Sequence, residues 1–454
     1  MEDHHPVTRT AAAPSSTPGS AHSARRGLVL IGVGIVLTGL NLRTAVTSIG
    51  PVLRELEHGL NISSGLAGLV TTMPVICFAA IGFAGPSLSA RFRDSHVLSG
   101  ALVAMSAGLV IRALAPSIWL FLAGTVLAMV GGALGNVLLP SLVKRYFPTR
   151  TGLMVGAYST AMSIGATVGA VSTAPIAASL GTGGWRWALG IWAVFALLAA
   201  LPWLAVPANP DASRGAHSAV RMRDLRHSRM AMVLMIFFGL QGLEAYIVIG
   251  WSAQYLRDMG LSAATAGLLL GLNQLIGIPL SALVPALTVR PRAQRPLLVL
   301  FMTCYAIGWI GLWVAPTTAP WLWMILLSIA MASFPMLLTL IGLRARTAET
   351  TAALSTYVQA WGYLISAVGP LLVGVLLGAT GTYTGMFVLV LASVVVLTAT
   401  GWLMTRERYA DDEVNRFVSG WSSTGHGADV LECLGGEPPV AVHVRAEDGG
   451  SPRE

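Results

Sequence analysis

Gly39-Leu40-Asn41-Leu42-Arg43-Thr44-Ala45-Val46-Thr47-Ser48-Ile49-Gly50-Pro51 sets an arginine inside an apolar run. The preceding stretch, Leu28 to Leu40, holds neither a charge nor a proline. Together they are long enough to cross a bilayer, which takes about 20 helical residues at roughly 1.5 Å each. A guanidinium near the middle of a spanning helix costs at least about 2.5–3.5 kcal/mol on insertion scales. Arg43 is therefore expected to face a partner, a cavity or a solute rather than lipid. The alternative is that it snorkels to the outer interface, the helix ending near Pro51.

Composition places the whole chain in the same setting. Of 454 residues, 54% are apolar and 11% charged, with a mean hydropathy of +0.70. Soluble domains carry about 25% charged residues. Charge gathered between long apolar runs is the pattern of a multi-pass protein of the cell (inner) membrane, with the lipid bilayer as its first partner. The pI of 9.9 could suggest nucleic acid. Here, however, the arginines stand at helix ends, where the positive-inside rule accounts for them, and no nucleic-acid partner is expected. Cys77, Cys304 and Cys433 lack metal-ligand spacing, so free thiols and no disulfide framework are expected. No Walker loop, metal-ligand cluster or nucleophile elbow occurs; neither cofactor, metal nor enzymatic activity is expected.

In chain order, residues 1–26 read as a disordered tail, since they lack the layout of a secretory signal. Spans follow at about 27–53, 64–90, 97–114, 118–143, 151–180 and 187–206, making a first six-helix bundle over 27–206. A polar linker with Arg214, Arg221, Arg223, Arg226 and His227 occupies 207–228. The second bundle, 229–405, has spans at about 229–255, 262–289, 297–314, 320–343, 351–378 and 385–405. Residues 406–454 are polar and Gly/Pro-rich and read as a second disordered tail. The fold class is an all-α membrane protein of twelve helices. With both termini cytoplasmic, the inner side receives most of the basic residues, whereas the outer side receives only Arg54, Arg112, Arg186 and Arg257.

The two sets of six look like copies. Gly39-Leu40-Asn41 returns as Gly239-Leu240-Gln241, and Gly59-Leu60 with Gly68-Leu69 returns as Gly260-Leu261 with Gly267-Leu268. Pro140, Arg150 and Ser159-Thr160 recur as Pro335, Arg346 and Ser355-Thr356. A parallel six-plus-six repeat joined by a basic linker resembles the plan of the major facilitator superfamily. Within it, Asn41-Leu42-Arg43 followed by Thr47-Ser48-Ile49-Gly50-Pro51 is similar to the first helix of the cyanate and 2-nitroimidazole transporter family. Thr71-Thr72-Met73-Pro74-Val75, Gly135-Asn136-Val137-Leu138-Leu139-Pro140 running into Lys144-Arg145, and Leu340-Ile341-Gly342-Leu343-Arg344-Ala345-Arg346-Thr347 resemble that family too. The likeness spans about Gly27 to Arg408. Leu88-Ser89-Ala90-Arg91-Phe92-Arg93-Asp94 departs from the superfamily's loop pattern, with Ala90 where an aspartate is usual and Arg93 where a glycine is usual.

Helical geometry sorts the polar residues. At about 100° per residue, Asn41 and Arg43 lie about 200° apart and cannot share a face of a regular helix. Arg43 goes with Gly39, Thr47 and Gly50 and is assigned to the cavity. Asn41 is assigned mainly to helix–helix hydrogen bonding, although unwinding near Gly39 would let both face a solute. In the seventh span Phe237, Gln241, Glu244, Val248, Trp251 and Tyr255 form one stripe. Glu244 is the one carboxylate deep within any span; by the repeat it corresponds to Thr44, so it is expected to face Arg43 across the interface of the halves. Its two readings are a proton-coupling group and a static neutraliser of Arg43. The candidate substrate-binding set is Arg43, Asn41, Thr47, Asn136, Tyr158, Gln241, Trp251, Asn273 and Gln359. For most of them the competing reading is a helix–helix hydrogen bond or core packing.

The resulting expectation is a secondary transporter working by alternating access as a monomer. What the resemblance implies is a small-molecule substrate, a small anion or small heteroaromatic, with Glu244 available for proton coupling. The alternatives are a proton-coupled multidrug antiporter, in which Glu244 carries the proton, and a non-transporting membrane sensor.

Overall fold

The computed structural model describes residues 18–89, 94–204 and 224–414. Most of the expected linker, most of both expected tails and the Arg91–Arg93 segment lie outside them. In the described residues twelve segments are long and apolar enough to cross a membrane. In the first half, α1 (Pro18–Thr47), α3 (Ser64–Ser89), α4 (Asp94–Leu114), α5 (Ile118–Tyr146) and α6 (Thr151–Ser179) each supply one span. The sixth is split into α7 (Gly184–Gly190) and α8 (Trp192–Leu204), and a short α2 (Leu53–Leu60) lies between α1 and α3. In the second half, α9 (Arg229–Asp258), α10 (Ala263–Thr288) and α11 (Pro291–Val314) are followed by a span broken into α12 (Pro320–Met331) and α13 (Ser333–Leu343). Two further spans, α14 (Ala348–Thr380) and α15 (Thr384–Met404), complete it.

The repeat read in the sequence recurs in the packing. In the first half α1 packs against α6 and α8, and α4 packs against α5; in the second, α9 packs against α14 and α15, and α11 against α12. Helix starts are set by hydroxyl caps that satisfy first-turn N–H groups: Ser117, Ser228, Ser262 and Thr347 each accept from the backbone three residues on. Two segments assigned to the ends of the chain are partly built into the fold. α1 starts at Pro18, and Arg406–Val414 folds back onto the bundle. There Glu413 accepts from Ser228 Oγ at 2.8 Å and from the Met230 N–H at 2.9 Å, capping α9, while Arg346 pairs with Asp412 at 2.9 Å.

The two halves close on each other at the end remote from the chain termini. Here α3 meets α14 and α6 meets α10. A Cβ on Gly374 would collide with the Ser64 carbonyl oxygen and stand 2.8 Å from the Gly68 Cα, so the close backbone approach there requires glycine. Gly50 is as constrained, its Cβ position being 2.5 Å from the Ile249 carbonyl oxygen. Polar side chains complete the closure. Arg257 of α9 grips Glu55 of α2 bidentately at 2.7 and 2.8 Å and donates to the Pro51 carbonyl at 2.9 Å. Gln254 donates to Glu57 at 3.0 Å, and Arg54 lies 3.6 Å from Asp258.

The other two arginines expected at the outer side brace the first half. Arg112 is fully buried and donates at 3.1 Å to the Ala45 carbonyl, which loses its helical N–H partner as α1 breaks: the Ile49 N–H turns to Val46 instead. A cation at a helix C-terminus offsets the negative end of the helix dipole. Arg186 donates to the Ala113 carbonyl at 3.3 Å and also to that of Ala115, and lies over the Trp185 ring.

Candidate functional site

Below the closed end the halves part around a cavity of about 940 Å³, running from mid-membrane depth toward the end that carries the chain termini. Its wall takes Arg43 from α1, Asn136 from α5 and Tyr158 from α6, and Gln241, Asn273 and Gln359 from α9, α10 and α14. Six of the residues singled out in the sequence are thus brought together on one surface. Among the described residues Arg43 is the only charged side chain on that wall, and no described carboxylate pairs with it. Its helix delivers it there because α1 buries its other faces: Leu42 and Ala45 pack inside the first half.

The polar wall is partly committed to holding its own helices. Asn273 donates to the Met324 carbonyl at 3.1 Å and accepts from Gln274 at 3.2 Å. Gln359 donates to Ser355 at 2.8 Å. Gln241 donates to the Met331 carbonyl at 3.4 Å, at the break between α12 and α13. Irregular backbone at membrane depth is tolerated where it borders a cavity, as this break does.

Aromatic rings make up the rest of the recognition surface. Phe238 stands edge-on to Tyr363 at 5.0 Å and to Phe334 at 5.6 Å, and Phe78 tilts against Tyr363 at 5.7 Å across the two halves. Tyr246 and Tyr363 lie within electrostatic reach of the Arg43 guanidinium. The sequence reading named neither tyrosine. The signal was present in the spacing: Tyr246 shares a helix face with Gly242 and Ile249, and Tyr363 lies one turn after Gln359.

Four expected site residues lie elsewhere. Asn41 donates to the Leu37 and Phe195 carbonyls at 2.9 and 3.2 Å, tying α1 to α8. Thr47 is buried and donates to the Arg43 and Ala166 carbonyls at 3.1 and 3.0 Å. Trp251 is fully buried, its Nε1 donating to the Pro370 carbonyl at 3.1 Å. Its neighbours in the stripe, Phe237 and Tyr255, belong to the same core. Glu244 does not face Arg43 and is absent from the cavity wall. It is buried inside the second half, where Trp309 Nε1 donates to one carboxylate oxygen at 2.5 Å and Ser393 Oγ to the other. The physical reason is angular: Glu244 lies on the face of α9 turned to α11 and α15, while Phe238, Ala245 and Tyr246 of the same helix reach the cavity wall.

The comparisons agree with this architecture. The model of the Major Facilitator Superfamily matches residues 31–370. An uncharacterized transporter, YycB, of Bacillus subtilis is 37% identical over 378 residues, covering 83% of this chain and 93% of the relative. The 2-nitroimidazole transporter of Escherichia coli is 35% identical over 376 residues, covering 81% and 93%. The cyanate transport protein CynX of Escherichia coli is 29% identical over 350 residues, covering 77% and 90%. Among solved structures, a bacterial homolog of the human lysosomal transporter Spinster, inward-facing and occupied, superposes with a TM-score of 0.68 at 19% identity, covering 86% of this chain and 98% of that one. With a matching family model over most of its length and a two-bundle, twelve-span fold around a central cavity, the chain is a multi-pass membrane transporter belonging to the major facilitator superfamily.

Proposed function

We propose that the chain moves a small anion or a nitro-substituted heteroaromatic, with Arg43 as the group that selects it. One observation carries this reading: among the described residues the lone charge on the cavity wall is a guanidinium, and no carboxylate accompanies it. A guanidinium presents a planar fork of donors that matches a carboxylate-like or nitro group through two parallel hydrogen bonds. Tyr246, Tyr363, Phe78 and Phe238 supply flat apolar faces beside it. The names of two relatives, a 2-nitroimidazole transporter and a cyanate transport protein, denote solutes of these two kinds.

A positive wall disfavours the cationic drugs that a multidrug antiporter would take, since like charge in a low-dielectric cleft is repelled. The arginine bias of the sequence supports cytoplasmic termini, so that the cavity opens to the cytoplasm and the closed end faces outward. One chain supplies every wall of the cavity, which supports a monomer as the working unit.

Thermal-shift measurements on purified protein test the reading, because a ligand that binds the folded state raises its apparent stability. Cyanate or 2-nitroimidazole should raise the melting temperature of the parent and leave Arg43→Ala unmoved. A shift by cationic drugs alone, or an undiminished shift in Arg43→Ala, would remove Arg43 from recognition.

A further inference from the structure

Behind the cavity wall of the second half lies a polar cluster that solute recognition does not use. Glu244 of α9 joins Trp309 of α11 and Ser393 of α15, and no described Arg, Lys or His faces it. The titratable side chain beside it is Tyr305 of α11, fully buried. Gln241 and Ser333 lie next to the Tyr305 hydroxyl, yet none is in hydrogen-bonding geometry with it, and the hydroxyls of Tyr305 and Ser333 are both buried without a partner. Such orphans are rare, since each costs about 1–3 kcal/mol. Gln241 is itself on the cavity wall, and Ser333 sits between two wall residues, Ala332 and Phe334, at the break of the tenth span. Buried polar groups therefore lead inward from the cavity: Gln241 and Ser333, then Tyr305, then Glu244.

The far end of this path is built to accept two protonation states. As a carboxylate, Glu244 accepts from Trp309 on Oε2 and from Ser393 on Oε1. Ser393 Oγ also lies 2.9 Å from the Val390 carbonyl, a second acceptor for its proton. When Oε1 takes a proton, the Ser393 hydroxyl can turn to Val390 and accept from the new O–H. Trp309, a donor only, keeps its bond to Oε2 throughout. No hydrogen bond is lost in either state. A tyrosine hydroxyl both donates and accepts, so Tyr305 can take a proton from the cavity side as it gives its own toward Glu244 across a bridging water, and end neutral.

We infer that Glu244 is the proton-binding site of this transporter, loaded from the cavity through Tyr305, and that it couples protons to transport without touching the solute. This rests on the transporter reading and not on which solute Arg43 selects. Because Glu244 ties α9 to α11 and α15, a change in its protonation acts on the helix that also carries Gln241 and Tyr246 to the cavity wall.

Infrared difference spectra of the full-length protein in liposomes, recorded across a pH titration, test the site without any solute. The parent should show the carbonyl stretch of a protonated carboxylic acid, shifting in heavy water. Glu244→Gln should lose that band. Ser393→Ala should keep it at a changed frequency, because the acid O–H has lost its acceptor. Tyr305→Phe should keep the band but slow its hydrogen–deuterium exchange. In uptake assays with 2-nitroimidazole and with cyanate, Glu244→Gln should retain exchange and lose accumulation driven by a pH gradient. A parent without the band, a band that survives Glu244→Gln, or Tyr305→Phe exchanging deuterium at the parent rate would overturn the proposal. Failure of the parent to move either solute would instead refute the solute assignment, since the spectra do not depend on it.

Discussion

Removing the Arg257 side chain should open the closed end of the molecule, and the structure sets the size of the effect. Arg257 makes three hydrogen bonds across the halves, two to the Glu55 carboxylate and one to the Pro51 carbonyl. Hydrogen bonds involving a charged group contribute about 1.5–3 kcal/mol each when well shielded. Here the arginine side chain is 12% exposed and its carboxylate partner 36%, so solvent screening reduces the sum. A net of about 2 kcal/mol for the constellation corresponds to roughly a 30-fold change in the ratio of closed to open far ends. The contact is made only when the halves meet, so its loss acts on that equilibrium rather than on either bundle alone. Spin labels at exposed His58 and Thr382, in a chain whose Cys433 is replaced, would report the separation by pulsed dipolar spectroscopy. Arg257→Ala should move population to a longer distance; Glu55→Gln should do the same, and the double variant should add little to either. Distance distributions superimposable on the parent in both single variants would refute the view that this contact holds the halves together.

Arg43→Lys should weaken uptake of 2-nitroimidazole by about tenfold or more while expression stays near normal, because a lysine cannot reproduce the bidentate fork; equal uptake would make the residue structural. Gly374→Val should shift the same spin-label distances outward, since a side chain there meets Gly68 and the Ser64 carbonyl of α3, and an unchanged distribution would show that the closed end tolerates bulk. Glu413→Ala removes the acceptor of the Met230 N–H and of the Ser228 cap at the start of α9 and should lower stability by about 1 kcal/mol, read as a reduced melting temperature. A cysteine placed at Ser218 should resist impermeant thiol reagents in intact cells, and labelling from outside would invert the assigned orientation.

The fold was legible because membrane spans are written in uninterrupted apolar length, and because the repeat recurred at a nearly constant offset in the same order. Arg43 was legible for a related reason: a charge in such a run has few places to go. Glu244 shows where that reading stopped. Thr44 and Glu244 are both buried within their own bundles, but Thr44 packs against the fifth span, α6, and Glu244 against the ninth and twelfth, α11 and α15. A sequence offset fixes the place of a residue along a helix more firmly than its angle around it, and each residue of error there is a rotation of about 100°. Trp251 failed differently. A helix in a bundle has one apolar face for its neighbours and another for the cavity, and three- and four-residue periodicity cannot tell the two apart. Asn41 and Thr47 look available in the sequence, but their hydrogen-bonding capacity is taken up by carbonyls of α1, α6 and α8. Such carbonyls are invisible until the helices are docked.

The solitary charge of Arg43 also has an electrical consequence. With no carboxylate among the described residues of the cavity wall, the empty cavity is positively charged, and a bound monovalent anion makes it neutral. An elementary charge crossing the full membrane potential gains or loses about 2.3 kcal/mol per 100 mV. With Glu244 protonated, voltage therefore acts on the unloaded carrier as it reorients and leaves the anion-loaded crossing nearly untouched. Transient currents recorded from the protein in a supported membrane, at a pH that keeps Glu244 protonated, should accordingly be largest in the absence of solute and fade as an anionic solute saturates the cavity.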